Sequence, residues 1–164
     1  MFRTINCAFI AIIVAVSAGH AIMAQEQASE RSLEGVWEVK TTPRNCVTGD
    51  PIPAAAFEGL YTFHKDGTMI ASLRNTTSAL ERTAWHGLWR RELGWSDYSF
   101  KDVQIRRSVA TGLFAGKQEI GGILTLSASG DEYTSDEYTI VYSVDGVPGT
   151  PFCINSVGTR FKLD

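Results

Sequence analysis

From residue 34 onward the chain reads as short segments rich in Val, Ile, Thr, Tyr, Phe and Trp, with turn signals between them and no long amphipathic helix. Eight segments fit this description: Glu34–Thr42, Phe57–His64, Thr68–Leu73, Ala84–Arg91, Tyr98–Arg107, Leu113–Ser127, Glu132–Val144 and Gly149–Leu163. Lys65-Asp66-Gly67, Ser129-Gly130-Asp131 and Asp145-Gly146-Val147-Pro148 are hairpin turns, because Gly, Asp and Pro supply the backbone angles a tight reversal needs. Alternation places Phe57, Gly59, Tyr61 and Phe63 on one face, Trp85, Gly87 and Trp89 on another, and Tyr138, Ile140 and Tyr142 on a third. The last segment puts Val157, Thr159, Phe161 and Leu163 together. A change of phase from Tyr98 and Phe100 to Val103 and Ile105 predicts a bulge near Lys101–Asp102, and Gly121-Gly122 predicts a bend. Short helical turns are read at Ser78–Arg82 and Ala28–Leu33. Eight antiparallel strands in hairpin order point to an all-β, up-and-down barrel, with a two-sheet sandwich as the competing arrangement.

The N-terminus has a different character. Met1-Phe2-Arg3, an apolar run from Ala8 to Val16 and a small-residue end have the layout of a secretory signal, and the run is shorter than the ~20 residues a membrane span requires. Cleavage fits after Ala21 or after Ala24, with Ala24 preferred because Gln25-Glu26-Gln27 follows it. The organisation is then a signal peptide over 1–24, an arm over 25–33 and a barrel over 34–164, in a periplasmic or secreted protein. Removal of Arg3 takes the net charge from −3 to −4, which argues against nucleic acid or an anionic membrane as partner. The mature form has no membrane span. Loss of Cys7 leaves Cys46 and Cys153, an even pair in an oxidising compartment, and they are read as a disulfide. A loop of that length contributes roughly 4–5 kcal/mol in the chain-entropy model.

Two motifs carry a family resemblance. Leu33-Glu34-Gly35-Val36-Trp37 resembles the lipocalin opening motif, Gly-x-Trp after a short helical turn, and Thr159-Arg160-Phe161 resembles that family's late basic residue. The resemblance implies that Arg160 lies over Trp37 and closes one end of the barrel, a cation–π contact of about 0.5–2 kcal/mol. The family's middle motif, Thr-Asp-Tyr, has a loose echo in Asp131-Glu132-Tyr133, and no helix follows the last strand before Asp164. The chain is therefore read as a lipocalin-like exported bacterial barrel.

Phe63, Trp85, Trp89, Phe100, Tyr138 and Tyr142 are the candidate ligand-binding residues, on the expectation that they face the interior; their alternative role is to pack a filled core. No metal or cofactor is expected: His64 and His86 lack a third ligand by spacing and are read as surface residues. No catalytic residues are assigned. Neither a Gly-x-Ser-x-Gly elbow nor a free cysteine is available, and Glu38, Glu58 and Asp102 do not stand out from solvated strand positions. Asp131, Glu132, Asp136 and Glu137 read as a solvated hairpin, and Arg90-Arg91 and Arg106-Arg107 as outward charges. The Asn75-Thr76-Thr77 glycosylation triplet is expected to carry no sugar. Three functions follow, in order of preference. The first is a carrier of a small apolar ligand. The second is a protein-interaction module, similar to exported metalloprotease inhibitors, acting through the freed 25–31 tail. The third is a barrel isomerase resembling allene oxide cyclases, which would require a buried ionisable group with a shifted pKa.

Overall fold

A computed structural model of the chain describes residues 31–73 and 79–163. The expected leader, most of the arm with its helical turn, and the Asn75-Thr76-Thr77 triplet lie outside the described residues. The strands are β1 (Gly35–Arg44), β2 (Phe57–Phe63), β3 (Thr68–Leu73), β4 (Leu80–Arg82), β5 (Trp85–Arg91), β6 (Asp97–Ser108), β7 (Phe114–Leu126), β8 (Glu132–Tyr142) and β9 (Phe152–Arg160).

Eight of these close into an antiparallel up-and-down barrel in the order β1-β2-β3-β5-β6-β7-β8-β9, and β9 returns to β1. Two long ladders rule out a sandwich. The β1–β9 pairing runs from Trp37↔Arg160 to Arg44↔Cys153, and β6–β7 runs from Asp97↔Thr125 to Arg107↔Phe114, so no sheet edge is left between them. The short β4 corrects the helical turn expected at Ser78–Arg82: Leu80, Glu81 and Arg82 pair with Ser108, Arg107 and Arg106 instead. It continues the wall of β5 across a kink at Thr83, whose amide donates to the Ile105 carbonyl.

The bulge is also displaced. Inward parity continues without a break through Tyr98, Phe100, Asp102 and Gln104, and the register shifts only between Ile105 and Arg107. Expecting Val103 and Ile105 inside assumed that the inner face stays apolar. Here it becomes polar, and Gln104 is accommodated by donating to the Gln118 side chain at 3.0 Å. At Gly121-Gly122, β7 keeps its register with both neighbours.

The two ends of the barrel differ. At the end where β1 begins, Leu33, Trp37, Phe63, Tyr98, Leu126 and Tyr133 are buried together. The Trp37 indole N–H donates to the Leu33 carbonyl at 2.9 Å, and the Arg160 guanidinium lies 4.3 Å from the Trp37 ring. Arg160 also donates to the Glu34 carbonyl at 2.6 Å and the Gly130 carbonyl at 2.9 Å. Gly35 allows this arrangement: its φ is +128°, and a Cβ there would lie 3.0 Å from the Arg160 Nη1. This end is closed. At the other end the β1–β2 connection turns on Asn45, whose side chain accepts from the Val47 amide at 2.8 Å, and passes through a 3-10 turn at Pro53–Ala55. Cys46 in that connection is bonded to Cys153 at the start of β9, with the Cα atoms 5.2 Å apart. The disulfide thus ties the connection to the rim of the open end. No helix among the described residues is long and apolar enough to cross a membrane.

Candidate functional site

The open end leads into a cavity of about 690 Å³. Its apolar wall comes from Phe57, Leu73, Trp85, Ile120, Phe152 and Ile154, and Gln104, Gln118 and Thr139 add polar groups. Lys40, Glu58 and Arg82 also line it, with the 3-10 turn along one side. Arg82 is directly opposite Arg106 across the β4–β6 ladder, and both burial and the second guanidinium lower its pKa. Neither arginine forms an ion pair with a described carboxylate.

Two carboxylates sit beside this cavity on the inner face. Asp102 is 2% exposed and Glu137 is 4% exposed. Strand register places Asp102 beside Ile120, and Glu137 beside Ile154, so each acid neighbours a residue of the cavity wall. Ser135 donates to Oε1 of Glu137, while Oε2 of Glu137 and both carboxyl oxygens of Asp102 complete no hydrogen bond with a described group. The hydroxyls of Tyr61, Tyr133 and Thr139 are likewise buried without a partner.

The electrostatics follow from this packing. Burial pushes the Glu137 carboxyl up to about 7, against the pull of Ser135 and Ser156 and with a further push from Asp136. Burial raises Asp102 well above the usual carboxylate range, the Glu137 charge raises it further, and the nearby backbone amides of Asp102 and Ile120 pull the other way without reaching hydrogen-bond geometry. Tyr61 and Tyr133 are raised by burial first and then by the charges of Glu137 and Asp102. No cation contributes to either acid's shift. The outer face of the same wall shows what cations would do. Glu119 there contacts Lys101 at 2.9 Å and Lys117 at 2.6 Å, and is held down at about 2.

The structure divides the residues singled out from sequence. Cys46 and Cys153 are joined, and Arg160 lies over Trp37. Phe63, Trp85, Trp89 and Phe100 belong to the interior, although only Trp85 lines the cavity; Phe63 and Trp89 contact each other edge to face with ring centroids 5.9 Å apart. Tyr138 and Tyr142 are a correction. They face outward, Tyr138 being 42% exposed, because Tyr133, Ser135, Glu137 and Thr139 take the inner face of β8. Tyr138 covers Gly121, where a Cβ would come within 2.9 Å of its hydroxyl, and Tyr142 packs against the Lys117 ammonium at 4.5 Å. Glu137 is a second correction, since it is not part of a solvated hairpin. Glu38 is exposed, and so are His64 and His86. Among the described residues no group of three or more His, Cys, Asp or Glu side chains is placed to hold a metal.

No protein-family model matches the chain, and no curated protein matches it. The lipocalin likeness therefore stands on the closed barrel, Gly35-Val36-Trp37 and Arg160.

Proposed function

We propose that this protein is an exported barrel that binds or carries a small molecule with an apolar body, taken in through the open end. The observation that carries the reading is the cavity of about 690 Å³, within the ~300–1,000 Å³ range of small-molecule pockets. Its wall joins aromatic and aliphatic side chains to nearly as much polar surface, which can orient a ligand. The disulfide holds the rim, and together with the leader-like N-terminus it supports an extracytoplasmic location. A module that acts through its tail needs no internal space, and the cavity favours ligand binding over that reading. The isomerase reading gains one observation, namely buried acids with raised pKa values beside the cavity, which are suited to moving a proton on a bound molecule.

The test is a native mass spectrum of the processed protein purified from its exporting host, followed by titration with a panel of amphipathic and apolar small molecules. A reproducible adduct or a saturable titration is expected, and it should be weakened when Ile154→Trp fills the cavity. A protein that stays free of adducts and titrates with no member of the panel would overturn the reading.

A further inference from the structure

Among the described residues the deeply buried charges are all acidic, while the basic side chains that line the cavity, Lys40 and Arg82, are exposed or half-buried. Asp102 on β6 and Glu137 on β8 are both buried, three of their four carboxyl oxygens lack a hydrogen-bond partner, and the hydroxyls of Tyr61, Tyr133 and Thr139 around them also lack one. Native interiors rarely leave so many polar atoms unmet at one place. Isolated buried carboxylates are costly, and the remedies are to keep a proton or to hold a cation against them. The chain supplies such cations elsewhere: Lys101 and Lys117 bracket Glu119 on the outer face, and Arg44 pairs with Asp136, the neighbour of Glu137. Inside, no basic side chain reaches the acids. Neither acid itself lines the cavity, but each is the register neighbour of a residue that does, so the cavity is the route by which a cation comes nearest to them.

We propose that the barrel is selective for an organic amine, whose ammonium group is held by Asp102 and Glu137 while its apolar body fills the cavity beside Trp85. This rests on the small-molecule reading of the cavity and names the class of ligand. Ammonium N–H groups donate to the unmet carboxyl oxygens, and Trp85 in the cavity wall suits the apolar body. The competing feature is the Arg82–Arg106 pair, which would attract an anion. Those arginines are half-buried, each with its Nε buried and without a hydrogen-bond partner, whereas Asp102 and Glu137 are almost wholly buried in a low-dielectric interior, so the acids decide which group goes deepest.

Binding should also release protons. The groups facing Glu137 are Ser135 and Tyr133 on its own strand, Ser156 on β9, Tyr61 on β2 and Asp102 on β6, with Asp136 pressing from the outer face; none of them is a cation. Glu137 therefore holds a proton up to about pH 7, and an ammonium paired with its carboxylate must displace that proton. For each proton released, affinity rises about tenfold per pH unit below the group's pKa.

The experiment is calorimetric titration of the processed protein with 2-phenylethylamine, 2-phenylethanol and phenylacetate, which share a body and differ in head group. It is run at pH 5.5, 6.5 and 7.5, and repeated with Glu137→Gln and Asp102→Asn. Support would be amine binding at least tenfold tighter than the alcohol or the acid, strengthening with pH, with that preference lost in both variants. Circular dichroism of the variants shows that they are folded. Equal binding of all three probes, tightest binding of phenylacetate, or a preference that survives both substitutions would each overturn the amine assignment and leave the cavity reading intact. Failure of all three probes would overturn the amine assignment too, while the cavity reading is decided separately by the wider panel.

Discussion

At the closed end the Trp37 indole N–H meets the Leu33 carbonyl, and Arg160 meets the Trp37 ring and the carbonyls of Glu34 and Gly130. Beside the cavity, Asp102, Glu137, Tyr61 and Thr139 present buried oxygens that meet no described partner. The same barrel thus closes one end over packed rings, although the Tyr133 hydroxyl there stays without a partner, and leaves the other polar and open. The difference separates two jobs: the closed end holds the fold, while the open half accepts destabilising groups that a ligand would satisfy.

The largest effect expected from breaking this division is at the closed end. Trp37→Ala removes a fully buried ring and its hydrogen bond, and should cost about 3–5 kcal/mol in denaturant unfolding. Next comes the tie at the open rim. Replacing both Cys46 and Cys153 with serine should cost about 2–5 kcal/mol and weaken ligand binding as well, because the β1–β2 connection loses its anchor.

The third prediction has the opposite sign. Glu137 keeps its proton up to about pH 7 in the folded chain, against 4.5 ordinarily, so between those values the folded state binds more protons than the unfolded one. Stability must fall as pH rises across that window. Glu137→Gln should therefore gain about 3 kcal/mol at pH 8 and almost nothing below pH 4, measured by urea unfolding at the two pH values. An equal effect at both would break the comparison. The smallest effect is on the outer face, where Tyr138→Ala should change stability by less than about 1 kcal/mol and leave ligand affinity unaltered.

Much of the fold was legible because period-2 patterning and turn chemistry agree along most of the chain. Seven of the eight expected segments shifted by no more than two residues at either end, and the last is shorter at both ends, since β9 runs only over Phe152–Arg160. Parity failed on β6 and β8, and for one reason. Tyr138, Ile140 and Tyr142 look like a core face, yet they form the outside, where Tyr138 covers Gly121 and Tyr142 stacks on Lys117. Ser135, Glu137 and Thr139 look like a solvated face, yet they form the inside. Hydrophobicity is a guide to burial only where the interior is apolar, and the candidate site is where it is not. The usable signal was Tyr133: placed inward, it carries Glu137 inward two steps later.

The most direct test of the division between the two ends is a two-dimensional ¹⁵N–¹H NMR spectrum of the processed protein, recorded with and without a bound small molecule. The expected result is movement of the Trp85 indole N–H and the Gln104 and Gln118 side-chain amides, with the Trp37 indole unmoved. Shifts centred on Trp37 and Arg160, or on the outer face around Tyr138 and Tyr142, with Trp85 unchanged, would contradict the account.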